Sequence, residues 1–331
     1  MVVLVGLAAA PHYRMIPTPV ESWIYTDANL YKSVVERVSR GENYYDAAAA
    51  EQRAHKYPTA PAVAFREPTL AWMLSALRFD VLRKVALFCL MGLAVLLFYQ
   101  ELLKSRLGAV GRIAGIAVFA TGLVIAGVPL APYLYEVWAA FLIALSLLLY
   151  RADRWGASVL LGLAACLFRE LAVPYLWAMA AFALYERRWR ELAAWIAALV
   201  VFCALFAAHV VHASAMYRPG DRISAGWLHF GGLPFVIVTA RWNLLLHEPP
   251  DVLVMTAICL SMIGLAGWRD PRTSRAALTM GGYMAAFTVV GRPDTNYWGQ
   301  LYAPLLPVGL MLAPAALRDL ARRAWPTPVT S

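Results

Sequence analysis

Residues 192–212 read LAAWIAALVVFCALFAAHVVH, twenty-one positions without an Asp, Glu, Lys or Arg. About twenty such residues in a helix cross the hydrocarbon core of a bilayer. Comparable apolar runs recur near 84–100, 113–129, 134–150, 155–168, 171–185, 251–268, 276–291 and 301–317. Val2–Ala10 is apolar but stops at Pro11, and is read as a short first helix rather than an unstructured tail. The expectation is an all-α integral membrane protein of about ten transmembrane helices, forming one domain over residues 1–331. The 155–168 and 171–185 runs are short and flank Arg169-Glu170, which predicts a hairpin of tilted helices with the two charges at its turn.

Composition agrees. The chain is 61% hydrophobic and 15% charged, against about 45–50% and about 25% for a soluble domain. So few charges could not cover a core in water, whereas lipid can serve as the outer solvent. The net charge of +9 falls in short clusters between apolar runs, which points to topology control rather than nucleic acid. Cys89, Cys166, Cys203 and Cys259 all lie in apolar runs and read as small buried hydrophobes, with no disulfide expected. No P-loop, GxGxxG, GxSxG or CxxC occurs, which argues against a cytoplasmic nucleotide-driven enzyme or pump.

Orientation follows from the basic connections. Lys104, Arg106 and Arg112; Arg151 and Arg154; Arg187, Arg188 and Arg190; Arg269, Arg272 and Arg275; and Arg318, Arg322 and Arg323 fall on one side if there are ten crossings, and that side is the cytoplasm. Residues 12–83 then form a long extracytoplasmic loop. Within it, Ser33–Arg40 predicts a helix with Val34, Val35 and Val38 on one face, ended by Gly41. Pro68–Leu77 predicts a second amphipathic helix opened by proline. A second outer segment, 213–249, is expected in the interface as an amphipathic or re-entrant element.

Ionisable residues at membrane depth or in structured outer loops are expensive to bury, which makes them candidates for function. Asp27, in Tyr25-Thr26-Asp27-Ala28-Asn29-Leu30-Tyr31, suits a general base or a cation ligand, and equally a helix N-cap. Gly41-Glu42-Asn43-Tyr44-Tyr45-Asp46 and His55-Lys56-Tyr57-Pro58 set aromatic rings beside charges, as sugar sites and membrane-interface belts both do. In Phe65-Arg66-Glu67-Pro68, Arg66 offers a planar fork for phosphate, or pairs with Glu67 to cap the next helix. Glu136 opens a helix, where the dipole also favours it. Arg169-Glu170, between Leu167-Phe168 and Leu171-Ala172, is an ion pair or an acceptor carboxylate facing a cavity. In Gly291-Arg292-Pro293-Asp294-Thr295-Asn296-Tyr297-Trp298-Gly299-Gln300, Arg292 and Asn296 offer donors for a pyrophosphate or sugar, and Tyr297 and Trp298 stack or anchor. The i, i+3 pair His209/His212 permits a metal but more often marks a helix end at the interface.

The candidate catalytic residues are therefore Asp27, Glu136 and Glu170. The candidate substrate-binding residues are Tyr44, Tyr45, Lys56, Tyr57, Arg66, Glu67, Arg169, Arg292, Asn296, Tyr297 and Trp298. This set, with the long first outer loop and the acid early in it, resembles the GT-C class of membrane glycosyltransferases, and the likeness of layout runs over nearly the whole chain. Asp27 stands where that class carries its early acid. Tyr44-Tyr45, Lys56-Tyr57-Pro58, Phe65-Arg66-Glu67-Pro68, Glu136, Arg169-Glu170 and Gly291-Arg292…Asn296-Tyr297-Trp298-Gly299 look like elements of bacterial members. The chain departs in its small size, in lacking a soluble C-terminal domain, and in having one early acid rather than a close pair. A divalent cation, Mg or Mn, held by Asp27 is the one cofactor considered. The resemblance implies inverting transfer of a sugar from a polyprenyl-phosphate-linked donor to a lipid, glycan or protein acceptor, at the extracytoplasmic side of the cell (inner) membrane. A transporter or flippase for a lipid-linked or anionic substrate is the competing expectation.

Overall fold

The computed structural model describes residues 26–105 and 107–324. The first helix expected at Val2–Ala10, and Tyr25 and Arg106, lie outside the described residues. Among the described residues the chain is helical throughout with no strand, and only isolated bridges join Ala60 to Ile223 and Leu228 to Val290.

The long polar loop folds into a layer of three helices, α1 (Asp27–Ser39), α2 (Tyr44–Ala54) and α3 (Pro68–Ala76). Helix α1 buries Val34 and Val35 as its periodicity predicts, but it starts six residues earlier than the expected Ser33. It ends before Gly41, whose φ of +93° turns the chain. Pro68 occupies the first turn of α3, where a missing N–H costs nothing. Helix α2 was not expected. Its Ala47–Ala50 run carries high helix propensity but too little side chain to show a periodic face.

This layer packs onto α4 (Asp80–Leu103) and α6 (Tyr135–Leu149): Val35, Tyr44, Leu70 and Leu74 share a core with Leu87, Tyr135, Val137 and Trp138. Every residue of α6 from Tyr135 to Leu147 is buried, so α6 is the central helix. Its uniformly apolar sequence is what a helix enclosed on all sides requires.

Two helices are long and apolar enough to cross a membrane, α4 with 24 residues and α9 (Trp189–Ser214) with 26. A third candidate is the pair of Pro293–Leu301 and α13 (Leu305–Ala324), bent by 64° at the break between them. Exposed Val85, Phe88, Leu93 and Leu96 on α4, and Val200, Val201 and Leu205 on α9, give both an apolar outer surface. The architecture is that of a helical membrane protein. The apolar runs behind the expectation of ten crossings otherwise give shorter helices: α5 (Ala109–Ala120), α7 (Gly156–Phe168), α8 (Val173–Tyr185), α11 (Asp251–Gly267) and α12 (Pro271–Phe287). At 12 to 17 residues, each is roughly 18–25 Å long. An apolar run and a straight helix are different things, because Gly, Pro and buried charge break the ladder inside the run.

Helices α7 and α8 fold back at Arg169–Ala172, as expected. Gly162 lies so close to Tyr175 and Leu176 that a Cβ there would meet them at 3.1 and 3.0 Å. The other close crossing joins α11 to α13. A Cβ at Gly264 would sit 1.9 Å from the Gly309 carbonyl oxygen, and Ser261 donates to Leu306 O at 2.9 Å. Small residues at such a crossing let backbones touch. The second outer segment contains α10 (Gly232–Ala240), buried continuously from Phe235 to Ala240. It is enclosed by protein, which fits the re-entrant expectation and not an amphipathic surface helix.

The bundle has two polar ends. At one, Asp80 at the start of α4 meets Lys32, Arg83 and Tyr133. At the other, Glu101 accepts from Lys104 (2.8 Å), Arg151 (3.0 Å) and Arg272 (2.9 Å). Beside it, Glu186 and Glu191 share Arg188 and Arg275. Four of the five basic connections therefore meet at one end, roughly 30 Å along α4 from Asp80.

Candidate functional site

At the end opposite the basic connections, charged and phenolic groups from six segments converge. Asp27 is the first helical residue of α1 and Thr26 is the N-cap, so Asp27 is not the cap the sequence allowed. Its carboxyl is turned inward and accepts from the Tyr57 hydroxyl. Burial raises its pKa, opposed in part by the Arg66 charge and the Tyr57 hydrogen bond, with Glu136 and Arg169 further away.

Arg66 lies in the extended chain before α3. Its Nε donates to the Tyr31 hydroxyl at 2.8 Å and its Nη2 to the Tyr297 hydroxyl at 3.2 Å. The guanidinium lies 5.6 Å from the centre of the Tyr31 ring. The Tyr44 hydroxyl fixes the Arg66 carbonyl at 2.5 Å. No Asp or Glu oxygen among the described residues comes within 4.0 Å of the guanidinium. It is a part-buried cation held by two phenols, with the Asp27, Glu136 and Glu170 carboxyls around it.

The floor beneath is ionic. Arg169 and Glu136 are almost fully buried, at 1% and 2% exposure, and Arg169 Nε stands 2.7 Å from Glu136 Oε1. Arg169 Nη1 also binds Glu170 Oε1. Arg169 is thereby committed to two carboxylates. Glu67 sits at the N-cap position of α3 without capping it. Its Oε2 instead accepts from the Glu170 N–H at 3.1 Å, so the Arg66–Glu67 capping pair does not form. Burial, and next the neighbouring Glu170 carboxylate, push the Glu67 carboxyl well above the usual range. Four carboxyls face two guanidiniums here, an excess of negative charge that acts with burial to hold the Asp27 and Glu67 carboxyls above their ordinary range.

Tyr45 bonds His209 Nδ1 at 3.2 Å and stacks on His212 with ring centres 5.2 Å apart. The His212 Nδ1 faces Ala208 O, so the two histidines do not converge on a metal. Among the described residues, no three His, Cys, Asp or Glu side chains are placed to hold an ion. Asp27 is flanked by Arg66 and Tyr57 rather than a second free acid. The donor set among the described residues does not fit Mg or Mn.

Of the segment 291–300, Tyr297 alone reaches this group. Arg292 is spent on Asp294 (2.9 Å) and the Ala225 carbonyl (3.2 Å). Asn296 accepts from the Trp242 indole at 2.9 Å, and Trp298 is buried against Phe287. Lys56 is exposed at a turn with φ of 58°, and its carbonyl binds Arg222. One participant was not singled out by sequence: Tyr31, four residues after Asp27 and hence on the same face of α1; His209, read there as a metal or helix-end histidine, is instead the partner of Tyr45. The site is apart from a cavity of about 220 Å³ between Lys84, Leu87 and Phe88 of α4 and the turn at Ala126–Pro132. No protein-family model matches this chain, and no match is found among curated proteins or solved structures.

Proposed function

We propose that this protein is a multi-pass membrane glycosyltransferase, moving a sugar from a polyprenyl-phosphate-linked donor to an acceptor hydroxyl at the extracytoplasmic face. The observation that carries the reading is the Arg66 guanidinium, part-buried, held by two phenols and, among the described residues, within 4.0 Å of no carboxylate oxygen, with its charge acting on Asp27. Burying a charge is expensive unless it is compensated, and a planar fork suits a phosphate oxygen. An anion subsite beside a proton acceptor is what transfer from a phosphate-linked sugar needs.

In this mechanism the acceptor oxygen attacks the anomeric carbon from the face opposite the phosphate. Its proton passes to the Asp27 carboxylate, whose raised pKa makes it a better acceptor than an ordinary aspartate. The bond from the anomeric carbon to the phosphate oxygen breaks, and polyprenyl phosphate leaves with the electron pair. Arg66, held by Tyr31 and Tyr297, meets that developing charge. Glu136, Arg169 and Glu170 keep the floor rigid and its field fixed. The gathering of four basic connections at the other end supports that end being cytoplasmic, with the short helices completing about ten crossings as tilted or paired segments. The transporter reading has less support, because the charges at the basic end are paired with one another rather than lining a path.

The test is sugar transfer by purified, lipid-reconstituted protein offered radiolabelled polyprenyl-phosphate sugars, with lipid-extract, glycan and peptide acceptors. Wild type is expected to transfer at least one sugar, and Asp27→Asn and Arg66→Lys to lose about a hundredfold or more. Transfer by no donor, together with flux of a lipid-linked anion across the vesicle, would replace this reading with the transporter.

A further inference from the structure

The turn that supplies Tyr57 is fastened to the second outer segment by one carboxylate, that of Asp221. It accepts from Arg53 Nε at 2.9 Å and Nη2 at 2.9 Å, from Thr59 Oγ1 at 2.8 Å and from the Arg218 N–H at 3.0 Å. Arg53 in turn binds the Met216 carbonyl. Backbone bonds continue the fastening: Thr59 N to Arg222 O at 3.0 Å and Ser224 N to Ala60 O at 2.7 Å, around the Ala60–Ile223 bridge. Arg222 also binds the Lys56 carbonyl at 2.8 Å. The turn between these ties holds Lys56 in the left-handed region, and Tyr57 N is tied back to Gln52 O at 2.7 Å. Only Pro58 separates Thr59, gripped by Asp221, from Tyr57, which donates to Asp27. Nothing in the catalytic scheme uses Asp221, yet it is the hub joining two loops 160 residues apart in sequence.

We propose that Asp221 is a positioning residue for this site: its carboxylate clamps the turn carrying Tyr57 to the outer segment, and so fixes the Tyr57 hydroxyl on the Asp27 carboxyl. This rests on the reading of Asp27 as the proton acceptor. With the clamp loosened, Asp27 loses a donated hydrogen bond while Arg66, Glu136, Arg169, Tyr31 and Tyr297 still face it. Arg66 keeps its own two phenols, so the anion subsite stays in place.

The experiment compares wild type, Asp221→Asn, and Asp221→Asn carrying an oxidised Ala60→Cys/Ile223→Cys staple, all in lipid. The infrared carboxyl band that disappears in Asp27→Asn is titrated in each, with amide exchange followed at residues 56–61. In Asp221→Asn the Asp27 midpoint is expected to move upward, because the Tyr57 bond stabilises the ionised form, and exchange of the turn to accelerate. Both should return with the staple. An unmoved midpoint, or one the staple does not restore, overturns the proposal. Should Asp221→Asn fail to fold, Thr59→Val removes one bond of the clamp and must move the midpoint in the same direction. Transfer is read separately: kcat is expected to fall about ten- to a hundredfold with donor KM unchanged, and a raised KM at constant kcat counts against the proposal. If wild type transfers nothing, the glycosyltransferase reading fails, and the clamp is decided by the midpoint alone.

Discussion

Replacing Glu67 by Gln isolates the buried acid pair in a way that needs no substrate. Glu67 is 4% exposed and accepts the Glu170 N–H. Burial raises its pKa above the ordinary 4.5, reinforced by Glu170. A native carboxyl that holds its proton more tightly than the unfolded chain contributes fully below the unfolded pKa. That contribution is lost as pH rises, until the native carboxyl itself ionises. Glutamine mimics the protonated acid, keeping an acceptor for the N–H and a donor for the Glu170 side chain, but it does not titrate. Glu67→Gln should therefore match wild type near pH 4. Above about 4.5 it should become progressively more stable than wild type, by about 1.4 kcal/mol per pH unit while native Glu67 stays protonated. In thermal melts this is a widening gap on the order of 2–3 °C per pH unit. The assay is tryptophan-monitored unfolding in detergent at pH 4, 5, 6, 7 and 8, reading only the difference between variant and wild type so that other titrations cancel. A difference that stays flat, or that favours wild type at high pH, refutes the upward shift of the Glu67 carboxyl.

Three further outcomes are expected. Arg169→Met leaves Glu136 buried without its cation and should cost about 3–5 kcal/mol; adding Glu136→Gln should recover a large part, measured by melts of the single and double variants. Gly264→Ala places a Cβ 1.9 Å from the Gly309 carbonyl and should reduce the monodisperse folded fraction on size-exclusion chromatography, whereas Gly92→Ala, which meets nothing within 4 Å, should not. Single cysteines at Glu42 and Arg154, both in turns at opposite ends of the bundle, should label from opposite sides of intact cells with an impermeant maleimide; labelling from one side would undo the assigned topology.

The residues of the site that could be read from sequence are those whose charge is costly where it stands. Asp27, Arg66, Glu136 and Arg169-Glu170 sit beside apolar runs, and the structure brings all of them together with Tyr57 and Tyr297. What sequence could not supply was which charges are already spent. Arg292 looked free, although its partner Asp294 is two residues on, because adjacency in sequence does not reveal whether two side chains share a face. Arg169 was read as pairing with Glu170, and it does, but its second carboxylate, Glu136, 33 positions earlier, reaches it only through the turn between α7 and α8. One phenol was undervalued: Tyr31 carries no charge and so raises no cost signal, yet with Tyr297 it holds Arg66. In the fold, apolar runs located the helices well, and the charges at Arg169-Glu170 marked one break, but the runs said little about helix length elsewhere, as at the end of α5. For α10 only the amphipathic alternative fails: its Trp-flanked sequence suits an interface, but Phe235 to Ala240 are buried and Gly299 closes directly onto the Thr239 backbone.

The Glu101 hub has a consequence for how the chain is made. Its three cations arrive at very different times: Lys104 three residues later, Arg151 50 and Arg272 171. At ribosomal speeds of about 5–20 residues per second, Arg272 is synthesised on the order of ten to thirty seconds after Glu101. Until then Glu101 holds only the cations of the first two connections, Lys104 and Arg151. Once α12 emerges, Arg272 brings the third and ties the last part of the bundle to α4. One carboxylate thus closes the bundle in stages, and a chain terminated before Arg272 would be left unlocked at this end.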